Sequence, residues 1–372
     1  MKLLLLHDHK FRKIANNYYS TGCFSDSVLS WYQKLFDNVE IVGRIIEEET
    51  VSPRYSQIVN QNVKVSDKRH LKQKIKEADF IIARLPSING YRGLHLARKY
   101  KKKYFVEVVG CTFDAYWNYS FLGKVLAFPA FLIMRHYVRK ADFVSYVTSS
   151  FLQKRYPNHR KCLSASDAQL VTTSQSVLEN RKNRKKLDKL VLGTAAPVDI
   201  KYKGQRFVIE ALALLKNYNI YAEYHLAGSG STDYLYQLAV QKGVENMVFF
   251  DGLIKHEKID EWYDSLDIYV HPSLLEGMSR AILEAMNRGL PCIANDCGGN
   301  FEVIHSDLLV DKKKDVARQI ADLIQKLTNE EYYNSMCNYS YELIKQSFDA
   351  DKINKNRETF YSQYINSIIN KT

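Results

Sequence analysis

Between Asp267 and Glu302 the chain reads DIYVHPSLLEGMSRAILEAMNRGLPCIANDCGGNFE, and two acids, Glu276 and Glu284, stand eight residues apart in it. Carboxylates accept hydrogen bonds from neighbouring hydroxyls, so a pair of them suits a sugar. Between the two acids a helix begins. RAILEAMNR has helical periodicity and good helix formers, and Gly289 and Pro291 mark its end. The backbone amides around Gly277, Met278 and Ser279 are then unpaired and sit at the positive end of the helix dipole. Such a place attracts phosphate. At helical spacing Glu284 lies roughly 12 Å along the axis from Glu276 and is rotated by about 80°. One carboxylate can face the sugar side of a diphosphate ligand while the other meets a ribose diol. The bare spacing says little; the specificity lies in its flanks, His271-Pro272-Ser273 and Gly289-Leu290-Pro291.

These groups need elements to hold them. DIYVH reads as a buried strand stopped by Pro272, and PCIAN as a second strand left by the loop DCGGN. Strand, loop, helix and strand in this order form a unit of a parallel sheet, with the loop at the carboxyl end of its strand. The preceding stretch has the same alternation: LVLGTAAP, GQRFVIEALALL, AEYHLAGSGS, a helix at Asp233–Lys242, MVFFDG and IDEWYDSL. In the first half, residues 3–6 read as a strand, followed by a loop through HDHKFRKIANNYYSTGCFSDS and a helix at Val28–Phe36. Strand-like runs recur at Val39–Val42, Asp79–Ala83, Tyr104–Val109 and Phe143–Val147, with helical segments at Leu71–Glu77 and Gly93–Tyr100. The polar, basic SQSVLENRKNRKKLDK reads as a linker between domains 1–180 and 187–351.

The chain has 372 residues, 46% of them hydrophobic, which fits two globular domains and excludes disorder. A net charge of +12 points to an anionic partner, although each basic cluster (Lys10–Lys13, Arg98–Lys103, Arg181–Lys189) also reads as a solvated face. The basic residues are scattered and form no nucleic-acid recognition motif, so no nucleic-acid partner is expected. Six dispersed cysteines, none in Cys-x-x-Cys spacing, argue against zinc and for a reducing cytoplasm. MKLLLLHDHK is too briefly apolar for a signal peptide. No stretch approaches the ~20 apolar residues of a spanning helix, since Pro129 interrupts Val125–Met134. SFLGKVLAFPAFLIMRHYVRKAD leaves two readings open: a core helix, or a helix at a membrane interface with basic residues toward lipid phosphates.

His271-Pro272-Ser273, Glu276-Gly277, Glu284-Ala285, Gly289-x-Pro291 and Gly298-Gly299…Glu302 together resemble the donor-site signature of the retaining nucleotide-sugar glycosyltransferases of family 4. Within that family the resemblance is to capsule, exopolysaccharide and lipopolysaccharide transferases. It implies an α/β GT-B fold: two doubly wound Rossmann-like parallel-sheet domains facing each other across a cleft, with the last helix, about 352–372, crossing back to the first domain. It implies that Glu276 holds donor-sugar hydroxyls, that Glu284 holds the ribose, and that Lys203, in Lys203-Gly204, neutralises the diphosphate. Gly228-Ser229-Gly230 matches the family's Gly-x-Gly, Leu253-Ile254 the segment near the base, and Gly22 the glycine of the first loop. One departure is Thr194 after Gly193, where most members have arginine; Arg206 or Lys201 is left to substitute.

On the acceptor side, VEVVGCTFDAYWN offers Glu107, Asp114 and Tyr116 just past a strand end. Cys111-Thr112 departs from the Gly-Asp-Pro form of related transferases. Catalytic and structural readings of Asp114 both stand, whereas Glu107 reads as a partnered structural acid. The implied reaction moves a sugar from a nucleoside-diphosphate sugar to a hydroxyl of a glycan or polyprenyl-lipid-linked acceptor, with retention and without metal or other cofactor. It would take place in the cytoplasm or peripherally at the inner membrane face. An epimerase or phosphorylase on the same fold, or a non-catalytic nucleotide-sugar binding subunit, would use the same loops.

Overall fold

Leu3, Leu4, Leu5 and Leu6 are all fully buried, because the strand they begin is flanked on both sides by parallel strands and covered on both faces. In this computed structural model, residues 1–370 are described except 23, 53–54, 119, 169 and 184–188. The chain divides into two units, Met1–Ala165 with Asn354–Thr372, and Ser166–Ile353.

The first unit contains β1 (Lys2–Ile14), β2 (Asn17–Ser20), α1 (Asp26–Gln33), β3 (Asn38–Glu47), β4 (Ser56–Gln57), β5 (Val63–Ser66), α2 (Leu71–Glu77), β6 (Phe80–Leu85), α3 (Ile88–Lys99) and β7 (Phe105–Val108). It continues with α4 (Thr112–Trp117), α5 (Phe121–Lys140), β8 (Phe143–Tyr146), α6 (Phe151–Arg155) and β9 (Lys161–Ser164). Its parallel strands run in the order β5-β3-β1-β6-β7-β8-β9. The stretch after Leu6 is not the loop its polar residues predict. β1 shifts register between Leu6 and Lys10, buries Phe11, pairs again with β3, and turns back antiparallel as β2.

The helix at 121–140 corrects another expectation. Pro129 stands inside the apolar run without shortening the helix, and α5 is, by length and composition, apolar enough to cross a membrane. Pro129 lies on the exposed side, where the carbonyl it leaves without an amide can be hydrated. Only Gly123, Ala127, Met134 and Val138 are buried, so α5 is not a core helix.

The second unit contains α7 (Gln175–Lys182), β10 (Leu190–Ala195), α8 (Gln205–Asn217), β11 (Ala222–Ala227), α9 (Asp233–Lys242), β12 (Val248–Gly252), α10 (Ile259–Ser265) and β13 (Ile268–His271). There follow α11 (Arg280–Asn287), β14 (Cys292–Asn295), β15 (Leu309–Val310), α12 (Val316–Lys326), α13 (Glu330–Ser347) and the first residues of α14 (Ala350–Ile369). Its sheet is parallel throughout, ordered β12-β11-β10-β13-β14-β15. The first unit ends at Ala165, short of the expected 180, so α7 belongs with the second. Arg181 explains this: its buried guanidinium donates to the carbonyls of Arg288 (2.7 Å), Leu266 (2.7 Å) and Tyr263 (3.2 Å). The rest of the expected linker, 184–188, lies outside the described residues.

The later part of α14 packs on the first unit. Phe360, Tyr361 and Tyr364 sit against Phe105 and Phe143. Tyr364 joins its hydroxyl to both the amide and the carbonyl of Ile81 in β6, at 3.1 and 3.0 Å.

Candidate active site

The second unit brings its candidate residues together at the carboxyl end of β13. His271 is the last residue of the strand and is buried. The loop that follows carries Glu276 back over it. Glu276 Oε1 accepts from Lys203 Nζ at 2.7 Å and from His271 Nε2 at 2.9 Å. His271 Nε2–H donates to the carboxylate, and its Nδ1 stands 3.3 Å from the Tyr269 hydroxyl. Burial alone would raise the Glu276 carboxyl, but the His271 hydrogen bond and the charges of His271 and Lys203 outweigh it and hold it at about 2. Lys203 is shifted up: burial opposes its charge, and Glu276 more than compensates.

Backbone contacts set this geometry. Gly204, at φ +76°, lies so close to the carbonyl of Pro272 that a Cβ would stand 2.1 Å from that oxygen. The Leu274 amide donates to the Tyr202 carbonyl at 2.8 Å. The Lys203-Gly204 turn is thereby pinned to the Glu276 loop. From the other side Gly298, at φ +59°, would bring a Cβ to 2.2 Å from the Glu276 carbonyl, and the Gly299 amide donates to Gly277 at 2.6 Å. Asn295 at the end of β14 donates to the Pro272 carbonyl at 2.7 Å.

α11 starts at Arg280, with Ser279 at its N-cap making no side-chain cap bond; Met278 and Ser279 are buried and Gly277 is half-buried. Glu276 is in the loop, four residues ahead of the helix, so the helical angle between it and Glu284 does not apply. Glu284 is on α11, half-buried, and accepts from the buried Tyr263 hydroxyl at 3.0 Å.

The remaining donor-side candidates fall on neighbouring strand ends. Gly228 and Gly230 follow β11 and press on Ala196 and Asp199 of the turn after β10. Leu253 and Ile254 follow β12, Leu253 exposed and Ile254 half-buried. Thr194 is fully buried; it donates to the Val270 carbonyl at 2.5 Å and accepts from Tyr224 at 2.7 Å. This position ties β10 to β13 and has no room for a guanidinium aimed at a ligand. Arg206 stacks on Phe207 at 4.1 Å and stands 4.0 Å from Glu210. The ammonium of Lys201 lies over the Tyr234 ring.

The first-unit candidates do not form a comparable cluster. Asp114 on α4 is ion-paired with Arg155 at 3.1 Å. Glu107 is buried in β7 and accepts from Tyr32 (2.6 Å) and Tyr361 (2.5 Å), with Arg84 3.6 Å away. It is the partnered structural acid expected. Gly22 sits in an exposed bend at φ +71°. The residues missed from sequence are His271 as the partner of Glu276 and Tyr263 as that of Glu284. The first was signalled by its place at a strand end, five residues before the acid.

Residues 175–343 match the family model described as glycosyl transferases group 1. Protein CapJ of Staphylococcus aureus is 31% identical over 355 residues, spanning 89% of this chain and 88% of CapJ. The Escherichia coli UDP-Gal:alpha-D-GlcNAc-diphosphoundecaprenol alpha-1,3-galactosyltransferase is 32% identical over 107 residues, 28% of this chain and 27% of that protein. Among solved structures, Anabaena Alr3699/HepE in complex with UDP and glucose superposes with a TM-score of 0.67 at 17% identity, covering 97% of this chain and 99% of that one. Sucrose-phosphate synthase of Thermosynechococcus elongatus gives 0.67 at 15% identity, covering 99% and 100%. These structural likenesses bear on the fold, the GT-B fold of two Rossmann-like domains. The chain belongs to the group 1 glycosyltransferases.

Proposed function

We propose that this glycosyltransferase is a retaining enzyme of family 4 that transfers a sugar from a nucleoside diphosphate to a hydroxyl of a glycan or lipid-linked acceptor during surface polysaccharide assembly. The observation that carries this reading is the Lys203–Glu276–His271 cluster at the amino end of α11. Glu276, held ionised, accepts from hydroxyls of the donor sugar, and Glu284 from the ribose. Lys203 and the amides at 277–279 stabilise charge growing on the departing diphosphate. The acceptor oxygen bonds to the anomeric carbon on the face the phosphate leaves, and that phosphate takes the acceptor proton. A metal is not called for, because lysine and helix dipole supply the positive charge. The acceptor class is supported by relatives named for amylovoran biosynthesis, teichuronic acid biosynthesis and a diphosphoundecaprenol acceptor. We place the reaction in the cytoplasm, at the inner membrane face, since α5 exposes a large apolar surface.

The test is a melting-point screen against nucleotide sugars, beginning with UDP-sugars, followed by turnover with the donor that stabilises most. NMR of the product should show the anomeric configuration of the donor. Glu276→Gln should cut turnover by about 10²-fold or more. An inverted product, or a fully active variant, would overturn this reading.

A further inference from the structure

Leu122, Leu126, Pro129, Ile133, His136 and Lys140 follow one another at intervals of four, three, four, three and four, so they form one flank of α5. Toward the amino end the exposed surface is hydrocarbon apart from Lys124, whose ammonium lies over the Trp117 ring: Phe121 is 85% exposed, Leu122 66%, Val125 64% and Phe128 60%. Over the last turns it is basic, with Arg135, His136, Arg139 and Lys140 all exposed. The helix is therefore divided along its length, not into two lateral faces. Its apolar part spans about 20 Å, more than half of the ~30 Å hydrocarbon core of a bilayer.

The helix is nonetheless fixed to its unit. Gly123 lies so near α4 that a Cβ would stand 2.2 Å from the Tyr116 carbonyl, and Asn158 binds the carbonyls of Val138 (2.7 Å) and Ala141 (3.0 Å). Beside the point where the flank changes from apolar to basic, a cavity of about 760 Å³ opens. Its walls are almost wholly hydrocarbon, from Leu71, Tyr91, Leu96, Leu132, Ile133 and Tyr137. Arg92, His95 and His136 also line it and are exposed, and Arg98 hydrogen-bonds His136.

We propose that this flank and cavity form a site for one anionic phospholipid of a bilayer, its phosphate among Arg92, Arg98, His136 and Lys140 and one hydrocarbon chain passing through the cavity along Ile133, Leu126 and Leu122. α5 then lies obliquely in the interface with its Leu122–Ile133 flank toward the hydrocarbon, and the exposed Lys124, off that flank, reaches back to the headgroups. Charge complementarity selects the headgroup, and the unbroken apolar track selects the chain. The proposal rests on the membrane-face location given above and makes it specific.

The full chain is floated with vesicles of phosphatidylcholine alone and with added phosphatidylglycerol, and single-chain lysophosphatidylglycerol is used as competitor. Binding is expected to rise at least about tenfold with phosphatidylglycerol and to fall with added salt. Ile133→Asp, at an exposed position of the apolar flank, and Leu96→Trp, filling the cavity, should each weaken binding about tenfold with melting points kept. Ile133→Asp keeps the test valid if Leu96→Trp does not fold. Lysophosphatidylglycerol should compete with vesicles for the unmodified chain. Vesicle binding unchanged in both variants would overturn the cavity assignment. Polyprenyl phosphate competing more than tenfold better would overturn the choice of lipid. A dimer in solution that Ile133→Glu dissociates would give the surface to a second copy instead. The melting-point rise with donor is followed in parallel: lipid binding lost with donor response kept refutes this site alone, and the converse refutes the donor reading alone.

Discussion

Glu107 in β7 and Glu276 in the loop leaving β13 are both acids drawn out of water and held by short hydrogen bonds, yet their partners are of different kinds. Glu107, with 5% of its side chain exposed, is held by two phenols and a buried arginine. One phenol comes from α1 and the other from α14, so the carboxylate fastens helices that are far apart in sequence onto the sheet. Glu276, 12% exposed, is held by a lysine on a turn and by the histidine that ends β13, with Gly204 and Gly298 pressing against the loop that carries it. A phenol keeps a single proton, which each of these two donates to the acid, whereas an ammonium and an imidazole can exchange partners. Burial and a short contact do not by themselves mark a site; the chemistry of the partners does.

The comparison breaks if the two acids respond alike to substitution. Glu107→Leu leaves two phenols and Arg84 facing hydrocarbon and should cost about 3 kcal/mol of stability, read by urea unfolding. Its turnover per folded molecule should stay within about twofold, in contrast to the loss expected for Glu276→Gln.

A second, comparable effect concerns acid. The folded Glu276 carboxyl is held at about 2, below its ordinary 4.5. A depressed folded value contributes stability that is fully present above about 4.5 and is lost as pH falls toward 2, on the order of 3 kcal/mol. The stability difference between the native chain and Glu276→Gln should shrink over that window. A difference independent of pH would mean that the acid is not held ionised.

The smallest effect expected is at Asp114. Its ion pair with Arg155 is partly exposed, so Asp114→Asn should change stability by less than about 1 kcal/mol. Turnover with the natural acceptor decides between its two readings: a fall of more than about tenfold makes it an acceptor-side group.

The candidate donor side was legible because its signals are local. Pro272, Gly289 and Pro291 bound their elements in sequence, and β13, α11 and β14 appear where they indicate. The positions of Lys203 and Gly228 likewise follow from strand ends. What was not legible depends on contacts across the chain. Thr194 gave no hint that it bridges β10 and β13 from a fully buried position. The first unit was harder for the same reason. β1 carries His, Asp and Lys within a strand because its far half pairs with β3 and turns into β2, and β5 (VKVS) and β9 (KCLS) are half polar, without the apolar run that marks the equally short β7 and β8. Composition alone left α5 between core and interface, and only its burial pattern shows that it is not a core helix.

The contact between Lys203 and Glu276 has a consequence for how an anion would be admitted. The ammonium is already paired with the carboxylate 2.7 Å away, so the pair presents little net charge to solvent. On the proposed reading an arriving diphosphate would share or replace the carboxylate, and the freed carboxylate would then be available to the sugar carried by the same molecule. Charge would be traded within the pair and not collected from bulk water. Donor affinity should therefore respond less to ionic strength than the protein's overall charge of +12 suggests.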